Sequence, residues 1–416
     1  MIVTKLDISN FKGIEHIELT PNPQLNLFMG NNGAGKTSVL KSLAILLSWT
    51  VARIRVQNGK GNLIDPDDIR MGSNGCNLSI QLDVCEKGWN IYRNTPGTPN
   101  DNKLKTDFSE MMKTVRDIQI NLNDTVPLIA YYPVTRSVLD IPLRIRKHKF
   151  NTLAAYEGAL EEGKANFRRF FEWYREREDL ENEEFRKAAT KKMAFNGDSQ
   201  LKAVRLALNK FFPQFDNLHI QRNPLAMVLD KEGMTLKINQ LSDGEKCFIA
   251  LIADLSRRLA MANPVMENPL EGKGIVMIDE VDLHLHPQWQ MIVIPRLMET
   301  FPNCQFFITT HSPQIANHVP NGSVFLLQNV GNCISMETAT FGYGAKPETI
   351  YTGLMGLTHT RPSTIDQEIK DLYRNITERE LEKAKKNLES LKKRLPEDPE
   401  LITIEGLIRR MELIGK

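Results

Sequence analysis

The sequence predicts an α/β fold in which a parallel sheet carries a phosphate loop, with a short helical insertion and a C-terminal helical appendage. Two observations predict the sheet. The apolar run Leu25–Met29 leads directly into a glycine-rich loop and a helical pattern, and a second buried-strand pattern, residues 275–278, ends in two acids. The appendage follows from a stripe of leucines at helical spacing after Ser363.

The glycine-rich loop at residues 30–37 matches the phosphate-binding pattern G-x-x-x-x-G-K-S/T. Its glycines allow backbone N–H groups to turn inward around phosphates, and a helix predicted over 36–47 begins with its positive end facing them. The lysine would neutralise the outer phosphates of ATP, and the threonine would hold Mg²⁺. A chance glycine loop is the alternative for this motif alone. The candidate nucleotide contacts are Gly30, Asn31, Asn32, Gly33, Ala34, Gly35, Lys36, Thr37 and Ser38.

The second strand pattern ends at Asp279 and Glu280. Side chains alternate along a strand, so Asp279 is predicted to face the metal ion while Glu280 projects towards the attacking water as general base. With this pair downstream of the phosphate loop, a coincidence of motifs becomes a poor explanation.

Composition indicates a large water-soluble chain. It has 416 residues, 41% hydrophobic and 25% charged, which predicts two or three domains. The longest apolar stretches fall far short of the roughly 20 residues that span a bilayer, and the first residues show no signal-peptide pattern. We therefore expect a cytoplasmic protein with no membrane contact. Its five cysteines form no C-x-x-C pair and are expected to be reduced.

The net charge of +2 excludes a chain that attracts nucleic acid over its whole surface. Nucleic-acid contact would have to be local, and the basic run Arg144–Lys149 is the best candidate. A solvated cluster of surface charges is the more common explanation for such a run.

Three further segments resemble motifs of ABC-class ATPases. Leu241–Lys246 resembles the signature motif, Val281–Pro287 resembles the D-loop, and Phe306–Pro313 resembles the strand that carries the switch histidine, His311. The resemblance implies a P-loop ABC-type ATPase head. Within that class, the opening Ile8–Ile14 and the two later segments resemble RecF-like and chromosome-maintenance (SMC-like) ATPases rather than membrane transporters, which adds Lys12 as a nucleotide contact.

The resemblance also implies a mechanism. In such heads two ATP molecules are sandwiched between two subunits, so Ser242, Gly244 and Glu245 would close over the nucleotide of a partner head. His311 would sense the terminal phosphate, and hydrolysis by Glu280 would release the sandwich. The chain departs from the family at Asp243, where the usual residue is glycine; the added negative charge predicts slow turnover. The Q-loop glutamine has no clear counterpart.

Two histidine alternatives stand beside this interpretation. Asp282, His284 and His286 alternate and could form a metal cluster on one face of a strand, although no fourth ligand stands nearby. His311 could be an ordinary core histidine.

The flanking regions complete the predicted organisation, which is an ATPase N-lobe at 1–140, a helical insertion at 141–224, an ATPase C-lobe at 225–345 and a helical partner-docking region at 346–416. Aromatic residues at 167–174 are expected to form core between insertion helices. In the tail, a helix with a capping box at Thr377–Glu380 carries the leucine stripe, which a third helix, beginning at Asp398, could cover as a hairpin. The alternative is that another subunit docks on the leucine stripe.

Longer segments resemble Septu-type and retron-associated ATPases of bacterial antiphage defence. They are Tyr131–Arg136, Phe170–Glu178 and Asp279–Pro287. That family implies a homodimer or higher assembly and a separate HNH-type nuclease subunit; its retron versions add a reverse transcriptase and its DNA–RNA product. No nuclease motif is visible in this chain. A RecF-like repair ATPase stimulated by DNA is the first alternative, and a nucleotide-bound scaffold with little hydrolysis is the second.

Overall fold

The structure is a computed structural model that describes residues 1–98, 106–120, 125–134, 151–161, 167–331 and 333–414. It contains two compact units, Met1–Ile350 and Tyr351–Lys416. The finer division of the first unit into two lobes and an insertion stays a prediction.

The strands of the described chain lie in the first unit. They are β1 Val3–Phe11, β2 Ile14–Leu19, β3 Leu25–Gly30, β4 Gly75–Leu82, β5 Trp89–Asn94, β6 Leu128–Tyr132, β7 Phe215–Arg222, β8 Leu225–Lys231, β9 Met234–Lys237, β10 Gly274–Ile278, β11 Cys304–Thr309, β12 Val324–Val330 and β13 Cys333–Thr338.

The helices occur in both units. They are α1 Lys36–Arg55, α2 Ser109–Ile120, α3 Phe167–Lys191, α4 Ser199–Phe211, α5 Asp243–Ala262, α6 Pro287–Thr300, α7 Pro313–Ala316, α8 Pro347–Gly353, α9 Ser363–Thr377, α10 Leu381–Arg394 and α11 Pro399–Ile414, with short 3₁₀ turns at Pro66–Asp68, Thr152–Tyr156, Ile238–Gln240 and Pro269–Glu271.

A six-stranded sheet forms the centre of the first unit, in the order β13-β12-β3-β11-β10-β6. Its strands pair in parallel except β13, which pairs antiparallel with β12. Every residue of β3, β10 and β11 is buried, as expected for parallel strands covered on both faces. The predicted α/β class is confirmed.

Two antiparallel sheets flank the central one. The first has the order β2-β1-β4-β5 and the second the order β7-β8-β9. Strand β7 falls inside the region predicted as a helical insertion, so that region contains helices and a strand. The sequence pattern of this strand was weak, because only Phe215 and Ile220 of the eight residues of β7 are buried.

Helix α1 is longer than the predicted 36–47 because its apolar residues continue to Ile54 with no glycine or proline before Gly59. It is the one described helix that is long and apolar enough to cross a membrane, yet 72% of its apolar window is buried inside the protein. Helix α1 is therefore packed as a core helix directly behind the phosphate loop.

The aromatic residues at the start of α3 are core. Phe167, Phe170, Phe171 and Tyr174 are all buried, and the rings of Phe170 and Tyr174 lie 5.5 Å apart. The prediction that these rings serve packing is confirmed.

The second unit contains its own core, formed by α9, α10 and α11. Ala384, Leu388 and Leu391 of the leucine stripe are buried against residues of the other two helices, which are Ile369, Leu372, Ile376, Leu401, Ile404 and Ile408. The helices therefore cover the stripe themselves, so the hairpin interpretation is confirmed. The capping box was wrong: Thr377 ends α9 and its hydroxyl donates to the Tyr373 carbonyl.

Candidate functional site

The carboxyl ends of three neighbouring parallel strands assemble the site. Ile278 of β10 pairs with Ile308 of β11, which pairs with Leu27 of β3. The backbone continues this alignment past the strands, because the N–H of Thr310 donates to the Phe28 carbonyl. Loops that follow such strands meet at one edge, where α/β sheets bind ligands.

The phosphate loop follows β3 and leads into α1. At Gly30 the backbone has φ of +149°, and a Cβ there would lie 2.2 Å from the Leu327 carbonyl oxygen, so only glycine fits. The Nζ of Lys36 donates to the carbonyl oxygens of Gly30 and Asn31, each at 2.9 Å. The lysine is buried within its own loop, where phosphate oxygens would replace those carbonyls as acceptors.

Asp279 lies just beyond β10 with 1% of its surface exposed. Its Oδ1 accepts hydrogen bonds from the hydroxyls of Thr37 at 3.2 Å and Thr309 at 2.5 Å. One carboxylate therefore joins the first turn of α1 to the end of β11. A threonine hydroxyl beside a carboxylate is the kind of oxygen pair that Mg²⁺ takes in nucleotide sites.

The direction of the Glu280 side chain was predicted from the alternation of side chains along a strand, but the structure shows a different cause. Strand β10 ends at Ile278, and Glu280 has a left-handed backbone with φ of +45°. Strand alternation therefore does not set its direction. Its N–H instead donates to the Thr309 hydroxyl at 2.7 Å, which fixes the strained backbone.

The electrostatics of the site come from a cluster of opposite charges. Burial lowers the pKa of Lys36, while Glu280, Asp279 and Asp282 act in the opposite direction. Burial, followed by the positive charge of Lys36, lowers the pKa of His311, so the imidazole stays neutral near pH 7.

The D-loop segment, residues 281–287, is hydrogen-bonded to the segment that carries His311. The Oδ1 of Asp282 accepts from the Thr310 hydroxyl at 2.6 Å and from the His311 N–H at 3.4 Å. His286 caps α6 and His284 is exposed, so these two histidines and Asp282 form no metal cluster among the described residues.

The signature motif forms the N-terminus of α5, which runs from Asp243 to Ala262. Ser242 caps this helix, and the Glu245 carboxylate accepts from the Ser242 N–H at 3.0 Å and from Lys231 at 2.7 Å. Glu245 is therefore a buried helix cap, and its contact with nucleotide stays a prediction. The exposed Asp243 pairs with Lys246 at 2.7 Å; that hydrogen bond lowers its pKa and offsets the negative charge expected to slow turnover.

Gly244 explains why the signature helix can lie so close to the D-loop segment. A Cβ on Gly244 would stand 2.2 Å from the carbonyl oxygen of His284. Any other residue would push the two backbones apart. The signature and the D-loop segment therefore touch within one chain.

Lys12 lies at the end of the β1–β2 hairpin with φ of +50°. Its N–H donates to the Asp68 carbonyl, and its Nζ lies 3.6 Å from the Asp68 carboxylate, which also pairs with Lys41. A nucleotide contact by Lys12 would have to compete with this acid. The basic run 144–149 lies outside the described residues.

Two functional candidates were absent from the sequence prediction. Thr309 contacts both acidic positions, and Gln290 bridges the D-loop segment and Ser312. Thr309 could have been predicted, because it ends the strand that neighbours the strand leading to the two acids. Nothing in the sequence pointed to Gln290, because its hydrogen-bond partners lie on different elements of the fold.

Comparisons with known proteins agree with this geometry. A family model described as "AAA domain" matches residues 5–215, and one described as "AAA domain, putative AbiEii toxin, Type IV TA system" matches residues 130–317. The chain is 32% identical over 391 residues to the Retron Ec83 probable ATPase of Escherichia coli, covering 79% of this chain and 71% of that protein. The chain belongs to the family of retron-associated ATPases.

This retron-type ATPase is also 22% identical over 396 residues to the Septu protein PtuA of Bacillus thuringiensis, covering 92% of the chain and 91% of that protein. Among solved structures it matches the SmcHead bound to the C-winged helix domain of ScpA, with a TM-score of 0.49, 14% identity, and coverage of 82% and 98%. The predicted resemblance to an ABC-class ATPase tied to defence systems is confirmed.

The residues of this retron-type ATPase fit ATP and Mg²⁺. A Cβ on Gly33 would meet nothing within 4 Å, so the face of the loop that would cover the phosphates is open. Thr37 and Asp279 supply the oxygen donors, and Lys36 supplies the positive charge.

Proposed function

We propose that this chain is the ATP-binding and ATP-hydrolysing subunit of a multi-component antiphage defence complex, in which paired heads control a separate HNH-type nuclease. The observation that carries the proposal is the convergence of Lys36, Thr37, Asp279 and Glu280 on one edge of the central sheet. The names of the retron and Septu relatives support the defence setting.

Each residue of the site has a separate task in hydrolysis. Lys36 exchanges its two carbonyl acceptors for the outer phosphates. Glu280 accepts a proton from the attacking water, and the neutral imidazole of His311 donates a hydrogen bond to the terminal phosphate. Thr37 and Asp279 would hold Mg²⁺, which when bound would supply positive charge against the charge that develops on the phosphate oxygens.

A second head completes the site in this proposal. The N-terminus of α5 presents the positive end of a 20-residue helix, with Ser242 and Gly244 at that end. These groups would bind the terminal phosphate of ATP held by the partner head. ATP then shifts an equilibrium between open and closed heads, and hydrolysis by Glu280 reopens them.

The tail unit is the proposed docking element for the nuclease. Its core is closed by its own helices, so docking would use outward residues such as Ile402 and Leu413 of α11, which are 59% and 79% exposed. In a retron setting a reverse transcriptase and its DNA–RNA product would join the complex. Residues 144–149 are the proposed nucleic-acid contact, and the compartment is the cytoplasm.

The test of hydrolysis and pairing uses Glu280→Gln, with the exposed Glu267→Gln as the matched control. Glu280→Gln should abolish phosphate release, retain ATP binding, and give a dimer or larger species by light scattering with ATP. Glu267→Gln should behave like the wild type. Unchanged turnover in Glu280→Gln rejects hydrolysis by this residue, and a strictly monomeric ATP-bound Glu280→Gln rejects the sandwich.

The test of the defence assignment is mass spectrometry of the proteins that co-purify with the tagged chain expressed from its own gene neighbourhood. A stoichiometric nuclease supports the proposal, and loss of that nuclease on truncation after Ile350 assigns the docking to the tail. A chain that purifies alone and hydrolyses ATP only with DNA would instead be a repair ATPase.

A further inference from the structure

The segment that carries His311 is anchored on both sides of the histidine. On the preceding side, the Thr310 hydroxyl donates to Asp282 at 2.6 Å. On the following side, the Ser312 hydroxyl donates to the Oε1 of Gln290 at 2.8 Å. Thr310 and Ser312 are both buried, while their partners Asp282 and Gln290 are half-buried.

Gln290 reaches back to the D-loop segment with its other atom. Its Nε2 donates to the carbonyl oxygen of Leu285 at 3.0 Å. A carbonyl can only accept, so this contact requires the NH₂ group and leaves the Oε1 facing Ser312. Gln290 thus uses one end of its amide for the D-loop segment and the other for the histidine segment.

The far side of the D-loop segment touches the signature helix. A Cβ added to Gly244 would lie only 2.2 Å from the carbonyl oxygen of His284, so the two backbones are in direct contact. Contacts therefore run without a gap from Gly244 through residues 284–285 and Gln290 to Ser312, next to His311. A displacement of the histidine segment would be passed to the N-terminus of α5.

We propose that Gln290 is a positioning residue that holds His311 and the D-loop segment as one body, so that the state of the terminal phosphate at one site is transmitted to the signature motif serving the other. This inference rests on the proposed ATPase function. Gln290 touches no reacting atom in this scheme; it acts through His311.

The test is a double-mutant cycle between Gln290→Met and His311→Ala, read in steady-state turnover. Methionine keeps the length of the side chain and removes both hydrogen bonds. We expect Gln290→Met to lower kcat about tenfold, because His311 loses its well-placed contact with the terminal phosphate. The Kd for ADP should stay within about twofold of the wild type, because phosphate binding by Lys36 is untouched. In the His311→Ala background the same change should have little further effect, because residues that act as a unit are not additive.

Two further variants separate positioning from general structure. Gln288→Met, two residues earlier on the same helix and exposed, should keep wild-type kcat. Gln290→Glu keeps an acceptor for Ser312 but cannot donate to Leu285, so it should resemble Gln290→Met, and it remains usable if the methionine variant fails to fold. Equal losses from Gln290→Met in both His311 backgrounds, or no loss at all, would overturn the proposal.

Binding measurements keep this inference distinct from the proposed hydrolysis. In the Glu280→Gln background, the ratio of the Kd for ADP to the Kd for ATP reports how well the terminal phosphate is sensed. Gln290→Met should bring that ratio towards one even if Glu280→Gln shows that hydrolysis was assigned wrongly. An unchanged ratio rejects the role of Gln290, whatever the turnover of the wild type.

Discussion

Replacement of Thr309 by valine removes one hydroxyl from the buried end of β11 and leaves the shape of the side chain almost unchanged. That hydroxyl, on a residue with 0% exposure, donates to the Asp279 carboxylate at 2.5 Å and accepts from the Glu280 N–H at 2.7 Å. We therefore expect Thr309→Val to affect stability and turnover together.

The magnitude follows from the two contacts. A hydrogen bond to a charged group contributes about 1.5–3 kcal/mol, and a buried N–H left without a partner costs about 1–3 kcal/mol. Since Asp279 keeps its bond from Thr37, we expect a loss of about 2–4 kcal/mol in the free energy of unfolding. Turnover should fall about 10- to 100-fold, because the hydrogen bond from the Glu280 N–H to Thr309, which supports the left-handed backbone of Glu280, is lost.

The assay is urea denaturation followed by circular dichroism, together with steady-state phosphate release. Thr300→Val is the matched control, since Thr300 is equally buried and its hydroxyl makes no hydrogen bond within the described part of the chain. The control should be within about 1 kcal/mol of the wild type. If Thr309→Val were no more harmful than Thr300→Val in either measurement, the assigned role of the hydroxyl would be wrong.

Three other predictions concern separate parts of the chain. Gly244→Ala should reduce turnover and stability, because the new Cβ would meet the His284 carbonyl oxygen. The control Gly406→Ala has open space around the new Cβ on α11, so in thermal unfolding it should be neutral or stabilising by up to about 1 kcal/mol. Burial and a neighbouring lysine lower the pKa of His311 in the folded chain, so the unfolded chain binds this proton at a higher pH and stability falls as the pH drops below about 6.5. His311→Gln should reduce this loss of stability, measured as the shift of the denaturation midpoint with pH. Leu388→Ala should destabilise the tail unit by about 2–5 kcal/mol in limited proteolysis while Kd for ATP stays unchanged, since Leu388 packs only in the core of that unit.

The parts of the site that sequence predicted well are those whose residues are neighbours along the chain. The phosphate loop and the Asp279–Glu280 pair follow buried strands directly, so the strand and its loop could be recognised together. Helix α1 was predicted too short because apolar residues alone do not define where a buried helix ends.

The parts that sequence missed depend on contacts between elements. The double contact of Thr309 requires the parallel pairing of β10 with β11, and the bridge formed by Gln290 requires the fold around α6. Glu245 is a different case. The pattern Ser242-x-x-Glu245 is a capping box in the sequence, and the resemblance to a signature motif outweighed that local signal.

The alignment of β3, β10 and β11 has a consequence for chain length and for engineering. Gly30, Asp279 and Thr309 come together because of the register between strands, and the lengths of the connections between them contribute little. Apart from β6, which pairs with β10, connections between residues 56 and 240 could be lengthened, shortened or exchanged between relatives while these strand ends keep their positions. A single residue inserted inside β11 would move Thr309 by about 3.3 Å and separate it from both acids. The connections can therefore vary in this chain without rebuilding its nucleotide site.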